Sequence, residues 1–225
     1  MDEKSNDLTF LSFNANSLFN KMDELQHLVL TFKSLPLFIC VCETWCNVYE
    51  PDTLYTLEKY VLFCRDRRER IGGGVALYVL ESDITEYERL SSVESENEDI
   101  WLRLQLKNRN RSLTLCFTYR PPNSNAMEFT SNLEEYIQKL ATNEQLLIAG
   151  DFNAPHVDWL ESDDTDTCGE LLSEKFNTYS LDQIVHFPTD LHLGKLKGYI
   201  DLIATNISQI NLTSSSPLGK SDHVC

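Results

Sequence analysis

The sequence predicts an α+β fold in which two sheets pack face to face with helices outside them. Three observations predict it. Strand signals outnumber helix signals by about three to one. The strands come partly as hairpins and partly as strand–helix–strand units, the mixture that builds layered α+β domains. No segment repeats at a period of about 20 to 50 residues and no low-complexity linker interrupts the chain, so residues 1–225 read as one domain.

Taken in order, Leu8-Thr9-Phe10-Leu11-Ser12-Phe13 alternates weakly and predicts the first strand. Asn16 or Ser17 can cap a helix in which Leu18, Met22, Leu25, Val29 and Phe32 recur every three or four residues. Leu37 to Cys42 reads as a buried strand bounded upstream by Pro36, and Tyr60 to Cys64 is a short strand. Gly72-Gly73-Gly74 breaks the chain before strand Val75 to Leu80, with another at Ile84 to Leu90. Ile100 to Leu106 alternates apolar and polar residues, the mark of a half-buried strand. Leu113 to Tyr119 follows and ends at Pro121-Pro122. Ser124 or Asn125 opens a helix with Phe129, Leu133, Ile137 and Leu140 on one face. Leu146 to Ala149 is a fully buried strand, and Leu172, Phe176 and Tyr179 indicate a third helix. Tyr199 to Ala204 and Ile210 to Thr213 are late strands.

Composition narrows the function. With 19 Lys and Arg against 35 Asp and Glu, the net charge is −16, which opposes nonspecific attraction to nucleic acid, acidic substrates or membrane surfaces. Polyanion chemistry would therefore need bound cations or a local basic patch. Arg65, Arg67, Arg68 and Arg70 form the one basic cluster. It reads as an exposed loop, with phosphate contact as the other reading. The acidic runs Glu94-Glu96-Glu98-Asp99 and Glu161-Asp163-Asp164-Asp166 read as solvated loops. Seven cysteines, an odd number behind a start without secretory character, argue for buried reduced thiols rather than disulfides. The longest apolar run, Leu35 to Cys42, is far short of the roughly 20 residues of a membrane span. An intracellular chain with no membrane attachment is expected.

The informative pattern is what terminates the strands. The first ends in Asn14 and the second in Glu43, followed by Thr44-Trp45. The Leu113 strand ends in Tyr119-Arg120, and the Leu146 strand runs into Gly150-Asp151-Phe152-Asn153. Asp201 sits between Ile200 and Leu202, and Ser221-Asp222-His223 stands near the end. A carboxylate among buried strand residues is costly unless paired or bound to a cation. Four such acids with two Asn, a Tyr and a His suggest one shared site. Hard oxygen donors suit Mg²⁺, and a His beside an Asp suits phosphate contact or proton donation. Neither Gly-x-Ser-x-Gly nor Gly-x-x-x-x-Gly-Lys-[Ser/Thr] occurs, and Gly72 to Gly74 precede a strand, so they read as a hairpin turn. Metal-assisted phosphoester hydrolysis is the chemistry these residues favour. Trp45, Trp101 and Trp159 read as core or lid packing, and His27, His156, His186 and His192 as non-catalytic.

Asn14, Cys42-Glu43-Thr44-Trp45, Gly72-Gly73-Gly74-Val75-Ala76, Tyr119-Arg120-Pro121-Pro122, Gly150-Asp151-Phe152-Asn153 with Asp158-Trp159, Ile200-Asp201-Leu202-Ile203 and Ser221-Asp222-His223 occur in this order. Together they resemble the endonuclease/exonuclease/phosphatase superfamily, and within it the apurinic-type endonuclease domain of jockey-like non-LTR retrotransposons, over roughly residues 8 to 223. The resemblance implies a four-layer α/β sandwich of two mostly antiparallel sheets with the site at one end. It implies a Mg²⁺-dependent DNA endonuclease, with Mn²⁺ as a substitute ion, whose nick leaves a 3′-hydroxyl that primes reverse transcription at the target. By the same resemblance Glu43 would be the main metal ligand, with Asn14 and Asp222 beside it. Asp151 would deprotonate the attacking water, Asn153 would hold phosphate or water, and Tyr119 would contact the phosphate or leaving oxygen. His223, oriented by Asp201, would stabilise the phosphate charge. Arg120, Thr189 and Ser221 are the expected substrate-side positions.

DNA is the implied partner, a reverse-transcriptase domain is expected in the full element, and a monomer is expected. A nuclear location follows from that substrate, although no dense basic import run is seen. The family has a further strand beyond His223, so a sandwich without its last strand, truncated at the C-terminus, is the expectation here. Two rivals remain: a phosphatase or phospholipase of the same fold, and an inactive interaction domain. Against the first, Ile200-Asp201-Leu202 lacks the Trp-x-Asp-Arg pattern associated with inositol phosphatases.

Overall fold

In the computed structural model of the chain, the described residues are 9–46, 49–67, 72–91, 97–107, 109–140, 144–159, 165–192, 195–198, 200–208 and 210. Twelve strands are described: β1 (Phe10–Asn14), β2 (Phe38–Cys42), β3 (Tyr60–Arg65), β4 (Val75–Leu80), β5 (Ile84–Arg89), β6 (Glu98–Leu106), β7 (Leu113–Tyr119), β8 (Gln145–Asp151), β9 (Asp182–Gln183), β10 (Asp190–His192), β11 (Lys195–Gly198) and β12 (Asp201–Thr205). Three α-helices accompany them: α1 (Met22–Thr31), α2 (Ala126–Lys139) and α3 (Thr167–Thr178). One sheet has the order β1-β2-β4-β3 and the other β5-β6-β7-β8-β12-β9, while β10 and β11 pair separately. Pairing is parallel at β1/β2 and β7/β8 and antiparallel elsewhere.

Two-residue periodicity makes the layers. In β2, Phe38, Cys40 and Cys42 face the other sheet while Ile39 and Val41 face α1. In β4, Val75, Leu77 and Val79 point inward and Ala76 and Tyr78 outward to α1. From the six-stranded sheet, Ile100, Leu102, Leu104, Leu115, Phe117, Leu147 and Ala149 meet them. The opposite face, with Trp101, Cys116, Ile148 and Leu202, is covered by Phe129, Leu133 and Ile137 of α2 and Leu172 and Phe176 of α3. The result is helix, sheet, sheet, helix: the four-layer sandwich expected, with the central strands β2, β4, β7 and β8 buried on both faces.

The helices begin where their caps allow. Asn125 accepts the backbone N–H groups of Met127 and Glu128, and Asp166 accepts that of Gly169. The first helix differs from expectation. Asn16 and Ser17 take positive φ values of 46° and 91°, a 3₁₀ turn covers Phe19–Lys21, and α1 starts only at Met22. The predicted apolar positions Leu18, Met22, Leu25 and Val29 are nonetheless buried. The Gly72–Gly74 loop does join the antiparallel pair β3/β4 as a hairpin. The strand expected over Ile210 to Thr213 lies outside the described residues apart from Ile210. All six described cysteines are free thiols, and five are buried. Among the described residues no helix is long and apolar enough to cross a membrane.

One glycine is dictated by the sheet. A Cβ on Gly150 would overlap the Thr118 carbonyl of the neighbouring strand. Gly150→Ala is expected to destabilise the fold by about 1–3 kcal/mol, read as a fall of several degrees in Tm.

Candidate active site

Four polar strand ends, with Glu43 just past β2, reach one end of the sandwich because the register puts them there. Asn14 pairs with Cys42 across β1/β2, Tyr119 with Asp151 across β7/β8, and Asp151 with Asp201 across β8/β12. The starts of β4 and β6 come to the same end, since Val75 pairs with Cys42 and Glu98 with Tyr119.

The two sheets meet through side chains at this end. The buried Asn14 amide nitrogen donates to Glu43 Oε1 at 3.0 Å and to Asp151 Oδ2 at 3.3 Å. Tyr119 Oη donates to Glu43 Oε1 at 3.2 Å, and Trp45 Nε1 donates to Glu43 Oε2 at 3.4 Å. Asp151 Oδ1 accepts the Asn153 backbone N–H at 3.2 Å. A carboxylate from each sheet therefore lies within reach of one neutral amide. Among the described residues no lysine or arginine forms an ion pair with Glu43. Two like charges that share an amide repel, and a divalent cation beside them removes that cost.

Backbone strain marks the same place. Glu43, Trp45 and Asn153 have positive φ values of 50°, 55° and 45°, a conformation that non-glycine residues hold only where surroundings enforce it. The Glu43 turn is enforced from both sides. Ser17 N–H and Leu18 N–H donate to the Glu43 and Thr44 carbonyls, while Thr44 N–H and Trp45 N–H donate to the Gly74 and Gly73 carbonyls. The three glycines, all at positive φ, thus form a lip against the site as well as a hairpin.

Burial, with the charges of Glu43 and Asp151 added, raises Tyr119 far above the ordinary phenol value. It remains a proton-bearing donor throughout the working pH range. Arg67, expected from its charge run to lie in an exposed loop, has its guanidinium carbon 5.8 Å from the Tyr119 ring centre. It pairs with Glu98, whose second oxygen accepts the Gly74 N–H. Glu98 and the buried Asp99 are therefore part of β6 rather than of a solvated acidic loop, and Asp166 is a helix cap. These tertiary pairings leave no trace in local spacing.

Two expected substrate-side residues have other tasks. Arg120 is 3% exposed, and its guanidinium donates to the carbonyls of Phe152, Asn153 and Ser124. Asn153 returns a bond from Nδ2 to the Arg120 carbonyl at 2.9 Å. Arg120 therefore braces the loop that carries Asn153. Thr189 is 4% exposed, and its hydroxyl accepts the N–H groups of Ile200 and Asp201, fixing the start of β12. Trp101 and Trp159 are core residues as expected, whereas Trp45 is 42% exposed. Ser221, Asp222 and His223 lie outside the described residues.

The donor set fits a hard divalent ion. Mg²⁺ is held through one or two carboxylates with water completing its shell; Glu43 would supply one, with the Asp151 carboxylate across the Asn14 amide from it. Among the described residues no three His, Cys, Asp or Glu side chains form a metal cage. Asn14 Oδ1 accepts the Asn16 N–H at 3.1 Å, so Asn14 serves here as the bracket between the two acids.

Two facing sheets inside two helical layers, with acids at one end, define the endonuclease/exonuclease/phosphatase class of sandwich. The chain belongs to the endonuclease–reverse transcriptase family, whose model matches residues 113–225. No curated protein sequence matches it. Among solved structures it is similar to the endonuclease domain of TRAS1, a telomere-specific non-LTR retrotransposon, with 17% identity, a TM-score of 0.74, and 96% and 94% of the two chains covered. It is also similar to the AP endonuclease LMAP from Leishmania major, at 15% identity and TM-score 0.75 over 96% of this chain and 85% of that one. A third is the 3′ phosphatase NExo from Neisseria, solved with a product DNA hairpin, at 14% identity and TM-score 0.69 over 96% of each chain. At these identities the likeness is one of fold.

Proposed function

We propose that the chain hydrolyses DNA phosphodiesters with Mg²⁺, leaving a 3′-hydroxyl, and that in an element encoding a reverse transcriptase this hydroxyl primes synthesis at the target. The observation that carries the reading is the convergence of Glu43 and Asp151, from opposite sheets, on the Asn14 amide. Family membership and the nucleases and phosphatase among the fold neighbours support phosphoester hydrolysis as the chemistry.

Each residue has a task. Asp151 receives the proton of the attacking water, and the Asn153 N–H and Asn14 amide hold its two oxygens in place. Tyr119, kept protonated, donates to an oxygen of the phosphate. Glu43 would hold the ion, with Asp222 completing the set. The ion supplies neutralisation of phosphate charge and stabilisation of the leaving oxygen. Asn153 positions water or phosphate, with its loop braced by Arg120. Asp201, beside Asp151 in the sheet, would orient His223 against the phosphate. DNA is the partner, the working unit is a monomer, and the nucleus is the site of action.

Supercoiled plasmid DNA and inositol phosphates, each incubated with the protein and Mg²⁺, test the reading. Open circles are expected from plasmid, no product in EDTA, and ends that a polymerase extends without prior phosphatase treatment. Phosphate release from inositol phosphates with intact plasmid would overturn it in favour of a small-phosphoester phosphatase. Failure on both substrates would favour an inactive interaction domain.

A further inference from the structure

The indole of Trp45 is left over by this mechanism. It stands two residues beyond Glu43, is 42% exposed, and holds a positive φ of 55°. Its Nε1 donates to Glu43 Oε2, which fixes one edge of the ring against the carboxylate. Its backbone N–H is bonded to the Gly73 carbonyl, and Gly72 packs beside Nε1 without a side chain that could cover the ring. A buried tryptophan would read as core. One anchored by its polar edge with its flat surface open reads as a platform.

We infer that Trp45 is a stacking platform for the nucleobase next to the scissile phosphate, a substrate-positioning residue of the proposed nuclease. The inference rests on the phosphodiesterase reading. With the scissile phosphate beside Glu43, the nucleoside attached to it is the nearest flat group to the indole. Charge argues in the same direction. A chain with net charge −16 gains little from general attraction to the DNA backbone, whereas stacking is indifferent to charge and to base identity. The platform also favours a base that is unstacked from its neighbours, so flexible or single-stranded junctions are the preferred substrates.

Intrinsic fluorescence isolates the residue, because Trp101 and Trp159 are 0% and 4% exposed. An oligonucleotide duplex with a single-stranded junction, added to the full chain with Ca²⁺ in place of Mg²⁺, is expected to quench the solvent-exposed component of emission, and Trp45→Phe is expected to abolish that quenching. In Mg²⁺ nicking assays, Trp45→Ala is expected to raise KM about tenfold or more, the scale of one lost stacked base. Trp45→Phe, which keeps the ring face and loses the N–H, is expected to hold KM within about threefold. If both variants instead lose kcat equally with KM unchanged, the indole serves only to orient Glu43 and the platform is refuted. Nicking by the wild type with no DNA-induced quenching refutes the platform while leaving the nuclease reading intact. A wild type that neither binds nor nicks DNA removes both.

Discussion

Asp151→Asn is expected to lower the rate of plasmid nicking about 10²- to 10⁴-fold, the range set by loss of a positioned general base, while the protein remains folded. Asp151 is 1% exposed, at the end of β8. Its carboxylate oxygens accept from Asn153 N–H and from the Asn14 amide nitrogen. Asparagine has the same shape and keeps one acceptor, so the pocket is not opened, but it cannot take a proton from water. Alanine would remove the acceptor of the Asn153 N–H and of one of the Asn14 amide's two bonds, and would confuse instability with loss of chemistry. A melting temperature within a few degrees of wild type, measured beside the nicking rate, separates the two. A nicking rate within threefold of wild type would remove Asp151 from the chemistry.

Glu43→Gln is expected to weaken Mn²⁺ binding by at least about tenfold, measured by calorimetry, and to reduce nicking at limiting metal more than at saturating metal. The comparison scale is the 10- to 100-fold that loss of a mere outer hydrogen-bond partner costs a metal site. Glu43 receives donors at both oxygens, Asn14 and Tyr119 at one and Trp45 at the other. The amide of glutamine turns one of these into a donor facing a donor and removes the charge that attracts the ion. Unaltered Mn²⁺ affinity would mean that the ion, if bound, sits elsewhere.

Much of this was written into the sequence at short range. The inward positions of β6 and β7, from Ile100 to Leu106 and from Leu113 to Tyr119, follow two-residue alternation because each strand must bury one face against the facing sheet. The polar residues that ended those runs, Asn14, Glu43, Tyr119 and Asp151, are the ones the fold gathers. A carboxylate at the tip of a buried strand is affordable only where something compensates it. Other features depend on where a side chain turns, which spacing does not encode. Arg120 stood in the right motif, yet its guanidinium faces inward to three carbonyls. Arg67 and Glu98 lay in runs that looked like ordinary charged loops, and only the folding of the Gly72–Gly74 lip onto β6 joined them beside Tyr119. Asn16 and Ser17 carried good capping chemistry for a helix, but their backbone is committed to the left-handed turn that packs residues 15–18 against Glu43 and Thr44. The short pairs of β9, β10 and β11 have too few residues for any period to register.

The central claim is spatial: a divalent ion belongs beside Glu43 and Asp151, where the two sheets converge. Crystals of the protein equilibrated with Mn²⁺ and measured for anomalous scattering test it most directly. A peak in contact with a Glu43 oxygen, lost in Glu43→Gln crystals, is the predicted result. A fully occupied Mn²⁺ remote from both carboxylates would contradict the account.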